Sequence, residues 1–154
     1  MYQIRRAELR DIETLIRFRQ ELFEANQKSG IESKAIDGAT REYLDAKMKK
    51  DQFVAWIAET ESEAAACSAV SFYSLPPKPW NLSGRYAYVS SMFTKPEHRK
   101  RGLARQLLQA ALEYIKAQGV QQVTLHASQW GESLYSSVGF QPTNEMRMTI
   151  KTDR

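Results

Sequence analysis

Cysteine and histidine are nearly absent from this sequence: its 154 residues hold one cysteine, Cys67, and two histidines, His98 and His126. A single thiol excludes an intramolecular disulfide framework, and so few soft donors exclude a cysteine-rich zinc site. No metal is expected. Long apolar runs are missing too, so no segment is expected to span a bilayer. The opening Met1-Tyr2-Gln3-Ile4-Arg5-Arg6 lacks the apolar stretch of a secretory signal. A reduced, cytoplasmic protein with no membrane role is the expectation. Repeats, linkers and low-complexity tracts are also lacking, which predicts one domain over residues 1–154. With 42% hydrophobic and 26% charged residues, the composition excludes disorder. Cys67 lies in Ala64-Ala65-Ala66-Cys67-Ser68-Ala69-Val70, the setting of a buried strand, where a small apolar thiol is usual.

Charge of one sign is in modest excess, +4 overall, but it is unevenly placed. Lys95, His98, Arg99, Lys100, Arg101 and Arg105 fall within eleven residues. Such a cluster suits nucleic acid, an acidic membrane or a phosphorylated small molecule, and composition does not choose among them. No aromatic stacking platform accompanies it, which weighs against nucleic acid.

Strand-like and helix-like patterns alternate, predicting a mixed α/β architecture. Residues 2–7 read as a strand. A helix over residues 9–27 carries Ile12, Leu15, Ile16, Leu22 and Phe23 on one side, with Glu8 and Asp11 at its first turn. Residues 30–38 form a polar break, and Thr40 is the expected N-cap of a short helix ending near Lys50. Residues 52–59 and 65–73 read as a hairpin with an acidic turn. Residues 75–84 contain three prolines and form a long loop. Residues 85–94 return to strand.

After the basic turn, Leu103, Leu107, Leu108, Ala111, Leu112 and Ile115 mark one face of a long helix that Gly119 ends. A strand over 120–127, a short helix over 131–138 and one or two closing strands over 140–150 complete the chain.

A strand leading into Arg99-Lys100-Arg101-Gly102-Leu103-Ala104 and then a helix is an anion-binding arrangement. The first-turn N–H groups have no partners within the helix, and its dipole makes that end positive. Glycine allows close backbone approach, and basic side chains add contacts to phosphate. The turn matches neither G-x-x-x-x-G-K-[ST] nor G-x-G-x-x-G.

Arg99-x-x-Gly102-x-Ala104 resembles the R/Q-x-x-G-x-G/A signature of the GNAT superfamily of N-acetyltransferases. Met92-Phe93-Thr94-Lys95-Pro96-Glu97-His98 is similar to the strand-ending segment before that signature. Ser133-Leu134-Tyr135-Ser136-Ser137-Val138-Gly139-Phe140 is similar to the family's A-x-x-L-Y-x-x-x-G-F element.

The resemblance implies a central mixed, mostly antiparallel sheet of six to seven strands, splayed between the fourth and fifth, with about four flanking helices. It implies acetyl-CoA as cosubstrate. Its pantetheine arm would lie against Met92, Phe93 and Thr94 like an added strand, with an N–H at Met92 or Phe93 facing the reacting carbonyl. Arg99, Lys100, Arg101, Gly102, Leu103 and Ala104 would hold the pyrophosphate, with Arg105 or Lys100 near the ribose phosphate. Ser128 stands where many relatives carry an Asn that contacts the coenzyme, and Gly131 where Ala is common. Tyr135 would be the catalytic acid that protonates the departing thiolate.

The strand at residues 88–93 carries no carboxylate to act as general base, and Glu21, Glu24 and Glu59 are the alternatives, each with a surface role as the simpler reading. Acceptor specificity is assigned to the first helices and to the 75–84 loop. Trp80 there either faces an amine or, the preferred reading, anchors the loop. His126 and Trp130 flank the expected cleft. The acceptor is expected to be a small-molecule amine, the protein a monomer or homodimer. The competing reading is a non-catalytic acyl-CoA-binding regulatory domain.

Overall fold

A computed structural model describes residues 1–26 and 33–153 of the chain. Five strands form one sheet in the order β1-β2-β3-β4-β5: β1 Gln3–Arg6, β2 Phe53–Glu59, β3 Ala64–Ser74, β4 Arg85–Thr94 and β5 Gln122–Leu125. The first four pair antiparallel, whereas β5 runs parallel to β4. The helices are α1 Ile12–Ala25, α2 Ser33–Met48, α3 Leu103–Ala117 and α4 Glu132–Ser137. Among the described residues no helix is long and apolar enough to cross a membrane.

The period of two in β2 separates the core into two halves. Val54, Trp56 and Ala58 pack with Leu103, Leu107, Leu108, Ala111 and Ile115 of α3. Phe53, Ala55 and Ile57 face Leu15, Ile16 and Phe18 of α1 and Leu44 of α2. The sheet is thus covered on both sides, and the apolar stripes of α1 and α3 are its lids.

At the entry to α1, Arg5 forms a fork on Asp11, with Nη1 and Nη2 donating at 2.8 and 2.9 Å, while its Nε donates to Glu59 at 2.8 Å. The Arg5 guanidinium holds the Asp11 carboxyl below its ordinary pKa. Glu59 is thereby committed to a structural ion pair.

Three expectations need correction. Ser33 onward is already helical, so a break reaching Gly38 and a cap at Thr40 are not observed, while residues 30–32 lie outside the described residues. The Thr40 hydroxyl instead donates back to the Ile36 carbonyl at 2.7 Å, a mid-helix bond that satisfies a hydroxyl without ending the helix. The sheet has five strands rather than six or seven. Residues 140–150 form no strand, and Met146, Met148 and Ile150 are 93%, 78% and 72% exposed. Their alternation is strand-like, but no ladder forms along them.

Candidate active site

Pairing between β4 and β5 covers only Tyr86–Val89 against Gln122–Leu125. β4 continues to Thr94, so its last five residues have no neighbour on the β5 side. This is the splay, and it explains why β5 stops at Leu125 although strand-like sequence continues to Ala127. On the other side, the β3–β4 register slips between Cys67 and Ala69, so that Ser91 and Met92 together oppose Ser68. Ser91 takes the left-handed φ of 54° at this bulge, which re-aims the backbone at the start of the gap. Met92, Phe93 and Thr94 all lie along the open edge. The Phe93 ring turns inward against Phe18 at 5.7 Å.

The chain then makes a short 3₁₀ turn, Pro96–His98, and enters α3. Arg99 is extended, whereas Lys100 and Gly102 have φ of 62° and 76°. Alternation of this kind turns successive N–H groups to one side, a concavity suited to anions. The first bond into α3 is from Gln106 N to the Gly102 carbonyl, and no side chain caps the helix. The N–H groups of Leu103, Ala104 and Arg105 therefore lack intrahelical acceptors. A Cβ built on Gly102 meets only the Gln106 amide at 3.9 Å, so the turn is open above the glycine.

The basic cluster divides in two. Lys95 donates to Glu63 at 2.7 Å, and His98 Nε2 bonds the other Glu63 oxygen at 2.8 Å. In the neutral ring His98 Nδ1 accepts from the Tyr2 hydroxyl, also at 2.8 Å. Glu63, Glu97 and His98 also gather three potential metal ligands within 4.8 Å, a grouping that sequence spacing concealed. Both Glu63 oxygens and both His98 nitrogens are already engaged.

Arg99, Lys100, Arg101 and Arg105 remain exposed around the turn. Arg99 Nε donates to the Thr94 carbonyl at 3.1 Å, fastening the turn to the end of β4. Arg105 donates to Ser137 Oγ at 3.0 Å and so ties the first turn of α3 to α4.

That link brings Tyr135, on α4, to the same region. Tyr135 is 9% exposed, packs edge-on to Phe140 at 5.8 Å, and burial raises its phenol above the ordinary pKa. The phenol is thereby kept in its protonated form, the form a general acid needs, although the higher pKa makes it a weaker acid. Gly131 begins the α4 turn, and a Cβ placed there would stand 2.8 Å from the Tyr135 ring. Ser128 is exposed, and its carbonyl accepts from Gly131 and Glu132 N–H at 3.0 and 3.1 Å. Its place is in the turn before α4.

Sequence reasoning misplaced the proline-rich loop. Residues 75–84 close the β3–β4 hairpin beyond Arg85, the end of β4 remote from the splay. Six residues of strand separate Arg85 from Ser91, roughly 20 Å at 3.3 Å per residue. Trp80 does not anchor the loop, being 64% exposed beneath Lys78 at 5.4 Å. Asn81 anchors it instead, 3% exposed and donating to the Arg85 carbonyl at 2.9 Å.

Four residues near the gap were missed: Tyr88, Arg147, Ser91 and Arg19. Tyr88 bonds His126 Nδ1 at 2.7 Å, and Arg147 donates to His126 Nε2 at 2.5 Å. An arginine only donates, so Nε2 accepts and Nδ1 carries the proton toward the Tyr88 oxygen. Ser91 and Arg19 meet at 2.9 Å. Arg19 was legible in principle, because its spacing puts it on the α1 stripe with Ile12, Ile16 and Phe23.

Comparison with known proteins bears on the family and the fold. The family model described as Acetyltransferase (GNAT) domain matches residues 26–149. N-acetyltransferase family 8 member 3 of Rattus norvegicus is 32% identical over 98 residues, 62% of this chain and 41% of that protein. The uncharacterized N-acetyltransferase YsnE of Bacillus subtilis is 27% identical over 100 residues, 62% of this chain and 60% of its own length. The aligned region thus spans under two thirds of either curated relative.

A "predicted acetyltransferase" from Clostridium acetobutylicum, solved with acetyl-CoA, superposes with a TM-score of 0.89 at 29% identity, covering 97% of this chain and 96% of that one. A GCN5-related N-acetyltransferase from Ralstonia eutropha gives 0.91 at 24% identity over 97% and 99%, a likeness of fold.

Proposed function

Because the chain belongs to the GNAT acetyltransferase domain family, we propose that it moves the acetyl group of acetyl-CoA to the primary amine of a small molecule, by direct attack in a ternary complex. One observation carries this reading: the open edge of β4 beyond Val89 leads, through the Arg99–Gly102 turn, to an uncapped α3 N-terminus. The first feature offers an extended amide-bearing arm a strand to pair with. The second offers a pyrophosphate a set of unpaired N–H donors, with Arg99, Lys100 and Arg101 around it. The residues present therefore fit acetyl-CoA, which supplies the thioester.

The residues then have separable duties. Backbone groups at Met92, Phe93 and Thr94 align the arm, and an N–H at Met92 or Phe93 stabilises negative charge on the carbonyl oxygen under attack. Gly102, Leu103, Ala104 and Arg105 hold phosphate through the helix end. The amine nitrogen bonds to the acetyl carbon, the carbon–sulfur bond breaks, and Tyr135 gives its proton to the sulfur. No carboxylate on β4 takes the amine's proton, and Glu59 is committed to Arg5. Solvent at the open edge of β4 is the proton acceptor in this scheme.

An amine panel with acetyl-CoA, followed by colorimetric thiol release, tests the reading. Cys67 will not contribute background, since it is buried and its thiol is pushed up to about 12. Saturable turnover is expected. Tight coenzyme binding without turnover on any amine would instead assign the chain to non-catalytic acyl-CoA binding.

A further inference from the structure

We propose that Arg19 recognises the acceptor: it holds a carboxylate or phosphate carried by the amine that is acetylated. This rests on the acetyl-transfer reading above and adds the chemical class of the acceptor.

Among the described residues, Arg19 occupies a position where its charge has no acidic partner. Ile12, Leu15, Ile16 and Phe18 of the same helix are buried against the sheet, and Arg19 follows them onto that side. Its guanidinium lies over the Phe23 ring at 5.0 Å and donates through Nη1 to Ser91 Oγ at 2.9 Å. Its Nε is buried with no hydrogen-bond partner. Among the described residues no carboxylate lies within ion-pair distance of it. The ionisable groups that face it, from β3, α2 and β4, are Cys67, Tyr43 and Tyr88, a thiol and two phenols with no carboxylate among them.

The contrast with Arg5 is informative. That guanidinium is also largely withdrawn from solvent, and the chain supplies it with both Asp11 and Glu59. An arginine stays charged at any physiological pH, and withdrawing it from water without a counter-ion is unfavourable. A leucine on the α1 stripe would avoid that penalty. The missing counter-ion is therefore expected to arrive from outside.

The place of arrival is set by Ser91. It sits in the bulge of β4, where the β5 side is open and where the acetyl group would be presented. Arg19 reaches it from the α1 face, whereas the phosphate cradle lies at the end of α3, on the other face. The coenzyme's phosphates and an anion on the acceptor thus have separate cationic sites, on opposite sides of the gap. Carboxylate and phosphate both match the planar fork of a guanidinium.

The test uses the full chain with acetyl-CoA and matched acceptors. One set is an α-amino acid, its carboxamide and the corresponding decarboxylated amine. The other is O-phosphoethanolamine against ethanolamine. The anionic member of at least one set should show kcat/KM about 10–100-fold above its neutral counterparts, the effect of one charged hydrogen-bonded contact. The set in which that preference appears identifies carboxylate or phosphate.

Arg19→Gln should erase the preference, chiefly by raising KM for the anionic acceptor, with acetyl-CoA affinity retained and any slowing on neutral amines much smaller than the loss on the anionic one. Arg19→Lys should retain part of it, and this variant stands in should Arg19→Gln fail to fold. Equal turnover of charged and neutral members, or a uniform slowing of all acceptors in both variants, overturns the assignment to Arg19. No turnover of any member, with acetyl-CoA still bound, overturns the acetyl-transfer reading itself.

Discussion

Replacing Gly131 by alanine tests the Tyr135 assignment with a single methyl group. Gly131 has φ of −96° and ψ of −15°, which alanine adopts without strain, so the substitution acts through contact alone. The new Cβ would lie 2.8 Å from Tyr135 Cε2 and 3.4 Å from Cζ, whereas carbon atoms pack at about 3.5–4.0 Å. The ring must retreat by roughly 0.7 Å at Cε2, and by more at the hydroxyl, which lies farther from the pivot at Cβ. Phe140 stands edge-on at 5.8 Å and limits the retreat.

A displacement near 1 Å of a proton donor is expected to lower kcat by up to ~100-fold. Overpacking should cost about 1–3 kcal/mol, offset in part by about 0.4–1 kcal/mol from the stiffer unfolded chain. Steady-state kinetics on Gly131→Ala, Tyr135→Phe and the double variant would form the cycle, with acetyl-CoA affinity from calorimetry. Tyr135→Phe should itself lower kcat about 10²–10⁴-fold and leave coenzyme binding intact. If both changes act through the hydroxyl, the double variant is no slower than Tyr135→Phe alone. Fully multiplicative losses, or an unimpaired kcat in either single variant, would refute the role given to Tyr135.

Two further outcomes follow from the geometry. Gly102→Ala places an L-residue at φ 76° in open space, so the penalty is conformational, about 1–2 kcal/mol. Calorimetry should show coenzyme affinity reduced about tenfold with kcat at saturation little changed, and an unaltered Kd would remove the turn from the phosphate site. Asp11→Asn should cost about 1–2 kcal/mol at neutral pH, less than a fully buried pair because Arg5 keeps Glu59 and is partly exposed. The Asp11 carboxyl titrates below its ordinary value, so its contribution is complete above about pH 4 and is lost as pH falls through the lower folded value. Thermal melts should therefore show the two proteins converging in acid, and a pH-independent gap would contradict the ion-pair account.

What could be read from sequence depended on whether the signal was local. The α3 stripe from Leu103 to Ile115 is a 3.6-residue pattern, and Leu107, Leu108, Ala111 and Ile115 are all buried as it requires. The turn at Arg99–Gly102 was legible for the same reason, since an uncapped helix start after a strand is a local arrangement. The proline-rich loop was recognised as a loop, but assigning it to the acceptor site required knowing which end of β4 splays. That depends on where β5 stops pairing, a contact between residues 89 and 125 that no short window contains. Glu63 meeting Lys95 and His98 is likewise a product of β3–β4 pairing, which sets Ala66 opposite Thr94. The closing strands were inferred from alternation at Met146, Met148 and Ile150, but a strand is a property of pairing, and alternation supplies only one of the two partners.

The distribution of strained backbone adds an independent argument for where the chemistry lies. Non-glycine residues with positive φ in the described chain are Asp51, Ser91 and Lys100. Asp51 belongs to the turn after α2, where such a conformation is ordinary for aspartate. Ser91 and Lys100 are different, because neither is a usual left-handed residue, and each costs about 1–2 kcal/mol. They bracket a single segment: Ser91 starts the open stretch of β4, and Lys100 lies in the turn that exposes the α3 N–H groups.

Glycine would relieve either position. At Ser91, however, the hydroxyl accepts from Arg19, and at Lys100 the side chain adds a cation to the turn before α3. In both cases the residue exchanges backbone ease for a side chain that the proposed site would use. Strain retained at the two ends of one ten-residue segment is what a surface shaped for an extended ligand would require, with the thioester at Ser91's end and phosphate at Lys100's.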